Sequence, residues 1–133
     1  MSAIAPRFTE GPVTYTVAEP VTGGQLVEAR ASSVVGVAAA GSLAVLGVAL
    51  KDATNAAAAT NDATALPSTV PVAADVHVYV TYAAAANFGD KLIAAANGQV
   101  TPAGATPDAR TIVGYCSNPG GVGAGAVGLA FID

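Results

Sequence analysis

The sequence predicts an all-β protein, a small barrel or compact sandwich of about eight short strands behind an extended N-terminal arm. Three observations predict it. "DVHVYVTY" at 75–82 alternates strictly, setting Val76, Val78, Val80 and Tyr82 on one face and His77, Tyr79 and Thr81 on the other, the period of a half-buried strand. Short Val-rich runs recur between turn residues, with 15 Gly and 8 Pro in 133 residues, the punctuation of an all-β chain. A phrase also occurs twice: "GGQLVEA" at 23–29 and "GDKLIAA" at 89–95 are followed, at nearly the same distance, by "VLGVALKD" at 45–52 and "IVGYCSNP" at 112–119. That doubling hints at two related β units.

Taken in order, residues 1–20 read as the arm. Pro6, Pro12 and Pro20 fix φ and remove backbone donors, so no helix spans them. "VTYTV" at 13–17 has strand alternation, and an arm of this kind orders by adding a strand to a partner's sheet edge. Arg7, Phe8, Glu10, Val13, Tyr15 and Val17 are the candidate partner or inter-subunit contacts: Phe8 as anchor, Arg7 with Glu10 as an ion pair, the rest as the added strand. The alternative is that Phe8 and Tyr15 cover their own domain's core.

Residues 21–133 read as a single β domain. From Ala31 to Leu50 no residue is charged, which is membrane-spanning length. Its Gly, Ala and Ser content gives little insertion energy, so it reads as strands, with Leu46, Val48 and Leu50 on one face and Gly47 marking a bulge or a close backbone approach. Residues 53–70 read as a low-complexity surface loop or short helix, since "ATNAAAATNDATA" has no large apolar residue to anchor a face. Asn97-Gly98 favours a turn with positive φ at both positions, making 91–102 a hairpin. "RTIVGYCS" at 110–117 and "GAVGLAFID" at 125–133 supply two further strands.

Composition narrows the function. Apolar letters make up 53% of the chain, but many are Ala, and the aromatics are four Tyr and three Phe with no Trp. Buried apolar area per residue is therefore small, and part of the stability is expected from assembly. Net charge is −4, with cations only at Arg7, Arg30, Lys51, Lys91 and Arg110, which argues against nucleic-acid binding. No membrane association is expected, and the N-terminus lacks the pattern of a secretion signal.

No enzyme and no cofactor are expected. Cys116 is the single cysteine, so it forms no internal disulfide or multi-cysteine metal site. Paired with His77 it is the one nucleophilic arrangement to name, and their spacing does not support it. "GAGAVG" at 123–128 matches a dinucleotide fingerprint only as letters, because the chain stops before the helix and acidic residue such a site needs. The Asp residues are isolated from any calcium-loop spacing.

One resemblance carries further. Gly89, Asp90 and Leu92, then Gly98, Val100, Thr101 and Pro102, then Ile112, Val113, Gly114 and Tyr115 resemble the small Ala/Gly/Val-rich head-decoration proteins of tailed bacteriophages, encoded next to the major capsid protein. The resemblance covers about 22–52 and 88–133. It implies a β-barrel or β-tulip-like virion protein that binds the outer surface of the expanded capsid, often as a homotrimer, and cements neighbouring copies of the major capsid protein. The rival expectation is a virion-surface binding module for a host glycan or other cell-surface group, using Tyr82 and Phe88 on an outer loop.

Overall fold

Ten strands form in the computed structural model, which describes residues 12–55 and 67–133. They are β1 (Val13–Val17), β2 (Leu26–Arg30), β3 (Val34–Val37), β4 (Val45–Ala49), β5 (Thr69–Ala73), β6 (Val76–Thr81), β7 (Lys91–Ala94), β8 (Val100–Pro102), β9 (Ile112–Cys116) and β10 (Val127–Ile132). Helix among the described residues is confined to single 3-10 turns, at Ala31–Ser33, Ala96–Gly98 and Ala109–Thr111. None is long and apolar enough to cross a membrane. The all-β expectation holds, with ten strands where about eight were expected.

The first five strands close a barrel in the order β1-β3-β2-β4-β5. β1 runs antiparallel to β5, with Val13 opposite Val72, and parallel to β3, with Val17 opposite Val35. Residues 13–17, expected within a free arm, are instead the strand that closes this barrel. The alternation of "VTYTV" is that of a strand, but alternation does not say whose sheet a strand joins. Thr69 and Val70, expected in a surface loop, likewise begin β5, while residues 56–66 of that segment lie outside the described residues. The last five strands form a second sheet in the order β6-β10-β9-β7-β8. A parallel bridge between Tyr82, the residue after β6, and Val100 of β8 brings the two edges of this sheet together, so that it curls into a second barrel closed by that bridge alone.

The two barrels are one motif written twice. β1 to β5 correspond in order to β6 to β10. In each, the ladder slips at the same place: Val27 faces Gly47 before Glu28 faces Val45, and Leu92 faces Gly114 before Ile93 faces Ile112. The parallel contact Val17–Val35 recurs as Tyr82–Val100, and the loop bridge Val21–Ala53 recurs as Ala86–Val122. This register equates Gly24 with Gly89, Leu26 with Lys91 and Val27 with Leu92. The doubled phrase thus marks a real repeat, shifted by one position: matching letters pairs Leu26 with Leu92, whereas the ladders pair Val27 with Leu92. The turn before the strand sets the true register: the Thr22 N–H donates to Gln25 Oε1, as the Asn87 N–H donates to Asp90 Oδ2.

Two glycines are fixed by close approach. A Cβ on Gly47 would run into the Ala73 carbonyl oxygen, and one on Gly114 into the carbonyl oxygen of Phe131. Both sit at the slip, where the bulged strand presses against its other neighbour.

The cores differ. The first barrel is filled by its own Val17, Val27, Val35, Val70, Val72 and Ala49. In the second, Tyr82 and Cys116 stand where the first has Val17 and Ala49, and they pack with Leu92, Val100 and Ile132. The Tyr82 hydroxyl donates to the Leu129 carbonyl oxygen at 2.8 Å; burial, with the Cys116 side chain beside it, pushes its pKa up. The same cluster includes Leu26, Ala38 and Val48 of the first barrel. Burying Leu26 alone contributes about 1.5–3 kcal/mol. Backbone bonds fasten the seam, from the Gly41 N–H to the Ala94 oxygen at 2.9 Å and from the Gly98 N–H to the Ala38 oxygen at 3.2 Å.

Candidate functional site

Of the residues named from the sequence as contacts, Arg7, Phe8 and Glu10 lie outside the described residues. Val13 is exposed, Tyr15 packs against the first core and Val17 is buried in it. Tyr15 and Val17 thus pack within their own barrel; for Tyr15 this is the alternative the sequence left open, while Phe8, named with it, lies outside the described residues. Cys116 and His77 do not meet: Cys116 is buried inside the second barrel, while His77 is exposed and its Nδ1 lies 3.1 Å from Ser117 Oγ. "GAGAVG" leads into strand β10, where the dinucleotide motif requires a helix. Tyr82, expected on an outer loop, is fully buried, whereas Phe88 is exposed. Among the described residues no three His, Cys, Asp or Glu side chains gather into a metal-binding group.

What the structure does bring together is an aromatic row on the outer face of the second barrel. Ladder pairing sets His77 of β6 beside Phe131 of β10, Phe131 beside Tyr115 of β9, and Tyr115 beside Lys91 of β7. The Tyr115 and Phe131 rings stack with centroids 5.3 Å apart, and His77 tilts against Phe131 at 5.0 Å. Lys91 Nζ lies 5.8 Å from the centroid of the Tyr115 ring, within range of a cation–π contact. Such cross-strand pairs each contribute roughly 0.2–1 kcal/mol, so the row is ordered by its own contacts. Tyr79, next along the same face of β6, is 66% exposed.

The corresponding row on the first barrel has the opposite fate. Leu26, Val48 and Ala73 occupy the places of Lys91, Tyr115 and Phe131, and all three are buried; Leu26 and Val48 are covered by the second barrel. Thus the face that binds a barrel in the first unit is open in the second. The sequence could show that His77 and Tyr79 share a face, but not that Phe131 and Tyr115 join them.

The main charged cluster belongs to the first barrel. Arg30 bonds Glu28 at 2.8 Å and Glu19 at 2.7 Å, and the Ala39 N–H donates to Glu28 at 3.1 Å. Burial alone would raise the Glu28 pKa, but hydrogen bonds from Ser42, Ala39 and Arg30 outweigh it and hold the carboxyl below its usual range. Arg30 also donates to the Val37 carbonyl oxygen, so the cluster ties together β2, the end of β3 and the loop that carries Glu19.

No protein-family model and no curated protein matches the chain. Among solved structures, the chain is similar to the head fiber gp8.5 N base of bacteriophage phi29, with a TM-score of 0.62 and 18% identity over 91% of this chain and 92% of that one. At that identity the likeness is one of fold, and it extends along nearly the whole of both chains.

Proposed function

We propose that the protein is a structural component of a bacteriophage virion, which binds the outer surface of the expanded head as a homotrimer and cements neighbouring copies of the major capsid protein. The observation that carries this reading is the fold likeness to a phage head-fibre base along nearly the full length of the chain. The aromatic row on the second barrel supplies the docking face: an ordered, partly apolar surface at a position where the first barrel is already covered. Binding energy at protein interfaces concentrates in a few anchor residues, Tyr among the most enriched. A clamp needs complementary surface only, and contact with several shell subunits at once gains from effective concentration. The acidic chain also suits the outside of the head better than its DNA-filled interior.

Quantitative mass spectrometry of purified virions tests the reading. A simple lattice fraction of the copy number of the major capsid protein is expected. A few copies, or none, would move the protein to a vertex, a fibre or a role outside the virion.

A further inference from the structure

The seam between the barrels opens into a cleft of about 330 Å³. Its polar lining comes from Thr22 and Gln25 of the first barrel and from Tyr79, Thr81, Asn97 and Gln99 of the second. The Gln25 amide is already committed: Oε1 accepts from the Thr22 N–H at 2.8 Å and Nε2 donates to the Asn97 carbonyl oxygen at 3.0 Å. That bridge holds the Asn97-Gly98 turn, with φ of 62° and 69°, against the first barrel. Gly98 sits so close that a Cβ there would lie 2.8 Å from the Gln25 Cβ. By contrast, among the described residues the side chains of Thr22, Tyr79, Thr81, Asn97 and Gln99 have no hydrogen-bond partner. Two amides and three hydroxyls therefore line the cleft with no described protein partner, open to exchange water for a ligand's hydrogen bonds.

The chemistry of the lining selects the ligand. Among the described residues no charged side chain lines the cleft, and the one carboxylate bonded to its lining, Asp52, accepts from the Gly23 N–H at 2.8 Å, so an anion meets no positive partner and a metal ion finds no cluster of ligands. A purely apolar ligand would strip water from the amides without replacing its hydrogen bonds. What remains is a neutral molecule with many hydroxyls and one apolar face. Tyr79 is 66% exposed and Val127, diagonal to it across the β6–β10 ladder, is 64% exposed; together they offer a platform for the C–H face of a sugar ring. The volume lies at the small end of ligand sites, which run from about 300 to 1,000 Å³, and suits a short oligosaccharide. We propose that the cleft between the barrels binds neutral carbohydrate, with Tyr79 as the stacking platform and Asn97 and Gln99 as hydrogen-bonding groups.

The test is an array of neutral, sialylated and sulfated glycans probed with the full-length protein. The best neutral hits are then titrated while the backbone amide resonances of Gly24, Asn97 and Gly98 are followed. Saturable shifts at those amides are expected. Tyr79→Ala should weaken binding by about tenfold or more, while Tyr79→Phe and the remote surface variant Phe88→Ala leave it within about threefold. Three results would each overturn the proposal: no neutral glycan shifting these amides up to about 10 mM, a preference for acidic glycans, or undiminished binding by a folded Tyr79→Ala protein. Attachment of Tyr79→Ala to expanded capsids, measured in parallel, separates this inference from the structural role. Intact attachment with lost glycan binding supports the cleft alone, and lost attachment overturns its independence from capsid binding.

Discussion

Leu26 and Lys91 occupy the same position in the two barrels, yet Leu26 is fully buried against the second barrel and Lys91 is exposed beside the Tyr115 ring. One site on one motif thus serves as an internal seam in the first copy and as open surface in the second. Leu26→Ala should cost about 2–5 kcal/mol in chemical denaturation, the range for a large-to-small change in a packed core. Lys91→Ala should stay within about 0.5 kcal/mol of the parent.

The hairpin turns invite a transfer of sequence. Ser32 and Ser33 hold φ of 67° and 62°, where the second barrel has Asn97 and Gly98 at 62° and 69°. The left-handed region costs a residue with a Cβ roughly 1–2 kcal/mol, and Asn and Gly bear it best. Ser33→Gly combined with Ser32→Asn should therefore raise stability by about 1 kcal/mol, read as a higher denaturation midpoint. An unchanged or lowered midpoint would show that the serines are held by something other than turn geometry.

At the ladder slip the opposite holds. Gly114→Ala puts a methyl group into the carbonyl oxygen of Phe131, within the pairing of β9 with β10, and should destabilise by about 3 kcal/mol. Gly123→Ala, with open space around its Cβ, should be neutral to within about 0.5 kcal/mol. Thermal unfolding of the two variants side by side checks the contrast.

Glu28 gives a pH signature. Its folded-state carboxyl is held below the ordinary 4.5, so its contribution is fully present above the unfolded value and is lost as pH falls through the lowered one. Glu28→Gln should cost about 1–3 kcal/mol at neutral pH. The gap between variant and parent should close as pH drops below the ordinary carboxyl range. A gap independent of pH would trace the loss to packing.

For the proposed docking face, Tyr115→Asp places a charge in the middle of the aromatic row while leaving the interior of the second barrel intact. Its attachment to expanded capsids should fall at least about tenfold, with circular dichroism unchanged. Undiminished attachment would move the contact to another face.

Much of the architecture was legible because strands announce themselves by period. The faces of β6 were read residue by residue, and the Asn97-Gly98 hairpin and the close approach at Gly47 followed from turn and glycine chemistry. What escaped was pairing between distant segments. Nothing local in "VTYTV" says that Val17 will lie beside Val35 in parallel, so the strand read as an arm. The doubled phrase is visible, but its register depends on loop hydrogen bonds accepted by Gln25 and Asp90, and composition is blind to those. The aromatic row was hidden for the same reason: His77, Tyr115 and Phe131 come from three separate strands, and only their order in the sheet makes them neighbours.

The two cores also impose a direction on the making of the molecule. The buried side chains of the first barrel's interior form a cluster of their own, while the cluster of the second continues across the seam to Leu26, Ala38 and Val48 of the first. Synthesis delivers the first half before the second, and domains fold as they emerge. The expected order of folding therefore follows the order in which the ribosome releases the two halves, with the shared seam closing last.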